Sequence, residues 1–173
     1  MKYSTFRKSE RIILYALAFA VCFLLVLIFY RTFIEINEKG FEVFETFIEW
    51  MVYVFLMVIL CGFLLSLANS FHEILEDKIV LRFGVFGFVH IKYSQIEEIG
   101  KFEEKNIPFL GMRFSDGVYY GYFGRKDLVK VKLKGEAEFY YLFLKKRKVN
   151  EIIFSVNKRD EFLEEIKKRQ EKC

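Results

Sequence analysis

The chain has 173 residues, of which 54% are hydrophobic and 29% are charged, and its formal net charge is +4. Its three cysteines form no C-x-x-C pair, and its two histidines have no cysteine or carboxylate cluster beside them at metal-ligand spacing, so the sequence predicts neither a metal site nor a cofactor. No Ser, His and Asp set and no nucleotide-binding loop is recognisable, so we predict that the protein is not an enzyme.

Two long stretches without charge predict membrane-spanning helices. Residues 12–30 and 50–71 contain no Asp, Glu, Lys, Arg or His. A helix needs about 20 apolar residues to cross a bilayer core about 30 Å thick, so we predict transmembrane helix 1 at 12–30 and transmembrane helix 2 at 50–71. Because ionisable side chains inside a span usually mark an ion or proton path, these helices are expected to form an anchor rather than a transporter.

The charges that flank the two spans predict the orientation of the protein. Residues 1–11, a predicted cytoplasmic tail, hold four basic residues, and residues 31–49, a predicted external loop, hold two. Basic residues near membrane ends stay in the cytoplasm, so we expect a multi-pass protein of the cell membrane with both termini cytoplasmic. Within the loop, Phe41, Phe44 and Ile48 recur at helical spacing and predict an interfacial amphipathic segment.

Three single residues have simple structural interpretations. Cys22 and Cys61 lie near the middle of the two apolar stretches and could touch there, but a buried cysteine usually acts as a small apolar residue. His72 follows the second stretch directly and is expected to be solvated or to cap a helix.

Residues 72–173 have the composition of a soluble domain, which we expect to lie in the cytoplasm. Short runs rich in β-branched and aromatic residues, separated by glycine, predict seven or eight strands. Ser115-Asp-Gly117 predicts a hairpin turn, Lys134-Gly135 predicts a second turn, and residues 145–150 predict a basic turn. The predicted strands are 78–82, 88–91, 95–102, 110–114, 118–123, 128–133, 138–144 and 151–156.

The last predicted element is a helix. Asn157 followed by Asp160 resembles a capping box, with Asn157 as the N-cap, and Phe162, Leu163 and Ile166 form an apolar stripe. One helix closing the end of a small, strongly bent sheet or barrel would cover both apolar faces. The predicted fold class is therefore an α+β membrane protein, in which a two-helix transmembrane hairpin precedes a β-barrel with a C-terminal capping helix.

Three segments of the soluble part resemble a known family. Residues 77–84 with 91–99 look like opening strands and the turn after them, residues 117–124 like a glycine-aromatic hairpin, and residues 152–163 like a last strand that runs into a closing helix. In their order and spacing they resemble the pleckstrin-homology (PH)-like domains of bacteria and archaea, many of which follow one or two membrane spans. The resemblance implies a PH-like barrel and implies no enzymatic activity.

A group of basic residues forms the candidate binding site. A domain tethered close to the bilayer meets anionic headgroups, and each basic residue near that surface contributes about 1 kcal/mol of attraction. The alternative is a solvated strand edge, where lysines prevent unwanted strand pairing. The candidate residues for lipid or partner binding are Lys130, Lys132, Lys134, Lys145, Lys146, Arg147 and Lys148.

These observations favour a non-enzymatic, membrane-anchored PH-like domain protein that binds a partner protein or self-assembles at the inner membrane surface. The alternative function is binding of anionic lipid headgroups through the basic strand and turn. The expected partners are the lipid bilayer, a membrane protein or a second copy of the chain, and anionic headgroups, but no nucleic acid.

Overall fold

The structure, a computed structural model, describes residues 1–39, 44–103, 110–123, 126–141 and 145–171. The chain divides into two compact units, a helical unit of Ser9–Ala68 and a sheet unit of Met1–Lys8 with Asn69–Cys173. Helices and an open mixed sheet together make an α+β protein, which confirms that part of the predicted fold class. Phe41 in the predicted amphipathic segment, and Gly124 in the glycine-aromatic hairpin, lie outside the described residues.

Two long apolar helices build the helical unit. Helix α1 spans Lys8–Lys39 and helix α2 spans Phe44–Ala68. By length and composition each is apolar enough to cross a membrane, with mean hydropathies of 3.1 and 2.6 over their most apolar parts, of which only 11% and 17% is buried. The core helix of a soluble protein would be mostly buried instead.

Both helices end at residues other than those predicted. Helix α1 continues to Lys39, so residues 31–39 are helical, where the sequence predicted a loop. Helix α2 ends at Ala68, before the predicted end of the span at residue 71, because Phe71 already begins a strand. Between the two helices, the Sγ atoms of Cys22 and Cys61 lie 3.2 Å apart, so the two thiols do touch.

Nine strands form the sheet unit among the described residues. Their order is β1-β2-β3-β4-β8-β9-β7-β6, with β5 paired to β8. All pairs are antiparallel except β7 with β9, which is parallel. The strands are β1 Lys2–Ser4, β2 Phe71–Ile74, β3 Lys78–Arg82, β4 Gly87–Lys92, β5 Ile96–Lys101, β6 Leu110–Ser115, β7 Val118–Phe123, β8 Leu128–Tyr141 and β9 Lys145–Ser155.

The first residues of the chain belong to this sheet. The segment predicted as a cytoplasmic tail forms β1, which pairs with β2 in a register that sets Lys2 opposite Glu73. The amide of Asn157 donates to the carbonyl of Ser4 at 2.8 Å, so the segment is also bonded to the chain just before the last helix. The guanidinium of Arg7 adds a double hydrogen bond to one carboxylate oxygen of Asp127. These contacts fasten the start of the chain to the sheet unit.

The predicted β6–β7 hairpin is confirmed. Ser115 pairs with Val118, and the two residues between them, Asp116 and Gly117, have φ angles of 50° and 80°. Positive φ at both central residues is what a two-residue turn needs to follow the twist of its strands. Asp-Gly supplies it locally, which is why the sequence alone was sufficient here.

Two predicted turns are wrong, because their residues belong to strands β8 and β9. Strand β8 passes straight through Lys134-Gly135 and ends at Tyr141, and its register against β9 shifts between Lys132 and Ala137. Its first half pairs with β5 and its second half with β4, so an irregularity that bends the strand replaces the turn. The predicted basic turn is also wrong, because residues 145–150 lie in β9; residues 142–144, predicted as the end of a strand, lie outside the described part.

Helix α3, Arg159–Gln170, covers the core as predicted. Phe162, Leu163 and Ile166 are buried against strand residues of one continuous hydrophobic cluster. The predicted capping by Asn157 is wrong, because the N-cap is Lys158, which adopts a left-handed conformation with φ of 62° and makes no side-chain cap.

Candidate functional site

Most of the predicted basic residues are neutralised by carboxylates. On a sheet, side chains that are opposite or diagonal across neighbouring strands come close enough to pair, and here the acidic residues fall at those positions. All four pairs are at least partly exposed to solvent. Because each lysine lies beside a carboxylate, the pairs together weaken the positive field that the predicted basic residues would otherwise produce. The pairs are Lys130 with Glu151 at 3.0 Å, Lys132 with Glu97 at 2.9 Å, Lys146 with Glu138 at 2.8 Å and Lys148 with Glu136 at 2.7 Å.

The pKa shifts in these pairs follow the same pattern. The hydrogen bond from Lys146 holds the pKa of the Glu138 carboxyl below its usual range. The carboxylate of Glu97 raises the pKa of Lys132 in turn. The directions of these shifts favour the charged forms of Glu138 and Lys132, so carboxylates offset the positive charge of the predicted basic residues.

Three of the predicted residues have a different environment. Lys134 and Lys145 are exposed, and the guanidinium of Arg147 lies over the ring of Phe114, 5.0 Å from its centroid. No carboxylate of the described residues pairs with any of the three. The structure therefore separates Arg147 from the paired lysines beside it in β9.

A small cavity of about 220 Å³ lies beside Arg147. Its walls come from β6, β7, β8, β9 and the turn between β3 and β4, segments that are far apart in the sequence. The sequence analysis identified only Arg147 among its residues. The lining residues are Phe86, Met112, Arg113, Phe114, Tyr119, Tyr141 and Arg147.

The cavity walls are held by aromatic packing. The ring of Phe114 lies 4.7 Å from that of Tyr119, and it meets the rings of Phe139 and Tyr141 edge-on at 5.2 and 5.7 Å. The hydroxyl of Tyr119 contacts the sulfur of Met112 at 3.8 Å, and burial raises the pKa of this phenol. Edge-on aromatic contacts are favourable and orient the rings, so the cavity has pre-formed walls with Arg147 at its border.

Strand β6 lies at one end of the sheet. It pairs with β7 alone among the described strands. Arg113, in the middle of β6, is exposed, and its guanidinium lies over the ring of Tyr120, 5.1 Å from the centroid. The cavity thus adjoins a free sheet edge and two guanidinium groups that are supported by aromatic rings.

His72 is buried, which corrects the expectation that it is solvated or caps a helix. Its Nε2 lies 3.1 Å from the carbonyl oxygen of Ser155, and its Nδ1 accepts from the amide of Arg82 at 3.3 Å. Rings of Phe83 and Phe154 flank it at 5.5 and 4.9 Å. Burial lowers the pKa of His72 to about 4, so the ring is neutral at neutral pH. The alternation of β2, which buries both His72 and Ile74, was the signal that sequence reasoning missed.

Comparison with known proteins identifies no relative whose site could be compared with this one. No family model, no curated protein and no solved structure matches the chain. Within the described ranges, no group of three His, Cys, Asp or Glu side chains is placed to hold a metal ion. The arrangement that remains is a pre-formed aromatic cavity beside a sheet edge, with two arginines that pair with no carboxylate in the described part of the chain, and it suits binding.

Proposed function

We propose that the protein is a non-enzymatic, membrane-anchored module, which binds a partner protein or self-assembles at the inner membrane surface. The observation that carries this proposal is the pairing of β1 with β2 in one sheet. Strand β1 leads directly into helix α1, and helix α2 leads directly into β2. The two apolar helices are therefore inserted between neighbouring strands of one domain.

This pairing constrains how the helices can meet a bilayer. Two hydrogen-bonded strands cannot lie on opposite sides of a membrane, so the two helices either both cross it or both stay on one side. The exposed apolar surface of both helices favours crossing, because a lipid core would cover it. The larger number of basic residues in 1–11 than in 31–49 then favours a cytoplasmic location of the sheet unit.

We extend the proposal to a PH-like fold for the sheet unit. A curved sheet that is covered by a C-terminal helix supports the resemblance seen in the sequence. The added strand β1 and the parallel pairing of β7 with β9 are features that this assignment has to accommodate.

Cysteine accessibility in intact cells tests the anchoring. In a chain whose native cysteines are replaced by serine, Asn37→Cys should react with a membrane-impermeant maleimide, and Lys134→Cys should react only after permeabilisation. Labelling of both positions only after permeabilisation would contradict membrane crossing. The reverse pattern would contradict the orientation but not the anchor.

Anionic lipid binding is the second candidate function. It is favoured by Lys134 and Lys145, which are exposed and have no carboxylate partner among the described residues. An environment-sensitive dye on Lys145→Cys, with the full chain in nanodiscs, should shift to the blue when anionic lipid replaces zwitterionic lipid, and the shift should disappear in high salt. An unchanged spectrum would remove this candidate.

A further inference from the structure

The geometry points to a site for an acidic, extended peptide segment, which adds to the free edge of β6 and places one side chain in the adjoining cavity. This inference rests on the proposed partner-binding function and names the chemistry of the partner. The inference depends on three properties of the site: the edge position of the β6 backbone, the volume of the cavity, and the positive charge of Arg113 and Arg147.

The backbone of β6 offers one row of unpaired hydrogen-bonding groups. An edge strand exposes N–H and C=O groups that pair with any extended chain, unless lysines, proline or a bulge protect it. Strand β6, with the sequence Leu-Gly-Met-Arg-Phe-Ser, contains neither lysine nor proline, and its register to β7 is regular throughout. Of the other described strands that pair on one side only, β1 has just three residues, and β5 ends in a lysine and has a register shift against β8. A partner strand would therefore add to β6.

The cavity has the size of a side-chain pocket. Its volume of about 220 Å³ is below the range of about 300–1,000 Å³ that is usual for small-molecule sites. Met112 and Phe114, alternate residues of β6, both line it, so it opens beside the edge to which a strand would add. An extended peptide presents alternate side chains to one face, and one apolar side chain can fill this cavity.

The charge of the site selects an acidic partner. Lys146 and Lys148, on both sides of Arg147 in β9, are paired with carboxylates, whereas Arg147 and Arg113 pair with no carboxylate of the described residues. Each guanidinium stacks on an aromatic ring, which leaves its N–H groups free to bind a carboxylate. A second copy of β6, paired so that Arg113 lies opposite its counterpart, would instead bring two like charges together, which is destabilising on paired strands.

The experiment is a titration of the full chain in neutral detergent micelles. The probe is a fluorescent hexapeptide, Glu-Val-Phe-Val-Glu-Val, which places Phe and both Glu side chains on one face when extended, and its anisotropy reports binding. We expect saturable binding that weakens with salt, and no binding of the matching peptide with Lys in place of Glu. Arg147→Gln should weaken binding about tenfold, because the variant loses a charge-assisted hydrogen bond to the peptide carboxylate. Lys148→Gln, at the next residue of β9, is the control and should bind as the parent does, because Lys148 is already paired with Glu136 at 2.7 Å.

A backbone control separates strand addition from charge attraction alone. An added strand uses the N–H groups of alternate residues only, so N-methylation of peptide residues 1, 3 and 5 and N-methylation of residues 2, 4 and 6 should differ. One of the two peptides should lose binding and the other should keep it. Equal binding of both would contradict strand addition.

Three other outcomes would overturn the inference. They are absence of saturable peptide binding, equal affinity of the parent and Arg147→Gln, and binding of fluorescent phosphatidylglycerol in an Arg147-dependent manner without binding of the peptide. The titration is carried out in micelles and does not depend on orientation. Failure of the cysteine accessibility test would therefore remove the membrane anchor while leaving this site intact, and the converse result is equally distinguishable.

Discussion

Acidification is expected to destabilise the sheet unit through His72. Burial is the main reason why the pKa of this histidine is lowered from 6.5 to about 4, and the carbonyl of Ser155 opposes the shift only in part. The unfolded chain therefore binds a proton near pH 6.5 that the folded chain refuses until about pH 4. Since the unfolded state binds more protons in this window, stability is complete above pH 6.5 and is lost as the pH falls toward 4.

The size of the effect follows from the shift. One pKa unit corresponds to about 1.36 kcal/mol, so lowering the pH from 6.5 to 5 should reduce the free energy of unfolding by about 2 kcal/mol, and continuing to pH 4 should reduce it by about 3 kcal/mol. His90 adds a smaller loss in the same direction, because burial, Lys78 and Arg82 also lower its pKa. The carboxyls with lowered pKa, such as Glu138 and Asp160, contribute only at lower pH.

Urea unfolding of the full chain in detergent, followed by near-ultraviolet circular dichroism between pH 7.5 and 4.5, measures this slope. In His72→Gln, an amide replaces both hydrogen-bonding nitrogens without titrating, so its free energy of unfolding should vary much less with pH. His90→Gln is the matched control and should keep most of the slope. The reasoning is refuted if His72→Gln and the parent lose the same free energy between pH 6.5 and 5.

Two further predictions concern packing in the same unit. Gly121→Ala should lower the free energy of unfolding by about 1–3 kcal/mol, because a Cβ there would lie 2.4 Å from the ring of Phe83, whereas Gly135→Ala, with no atom within 4 Å, should be nearly neutral. Phe162→Ala should cost about 3–5 kcal/mol, since this side chain of helix α3 is completely buried in the core. Urea unfolding measures both, and a harmless Gly121→Ala or Phe162→Ala would contradict the packing described for the core.

The sequence predicted those elements whose signals are local. Strand β3 and the β6–β7 turn were found because alternation and Asp-Gly chemistry act within a few residues. Strand β1 was missed because its three residues become a strand only by pairing with β2, about seventy residues further on. The supposed turn at Gly135 failed for the same reason: whether a glycine ends a strand or sits in an irregularity depends on the partner strands, and here β8 continues between β4, β5 and β9.

In the candidate site, too, the sequence predicted the local features but not those that depend on distant residues. The sequence identified the basic residues by type, but their pairing with Glu97 or Glu138 depends on which strands are neighbours, so the charge they present was overestimated. The cavity could not be found at all, because Phe86, Met112 and Arg147 meet only when three distant parts of the sheet come together. Arg147 was named for its charge, whereas its contact with an aromatic ring is what distinguishes it.

The two end strands of the main strand order, β1 and β6, are protected to different degrees, and this difference bears on the proposed function. Folded proteins protect their edges, since an open strand pairs with other chains. At one edge, β1 is short, is bonded through Ser4 and Asn157 to the chain before helix α3, and continues directly into a helix. At the other, β6 is six residues long and carries no protecting lysine, proline or bulge. Because protection is present where the helical unit joins and absent beside the cavity, the proposed peptide segment would add at the β6 edge.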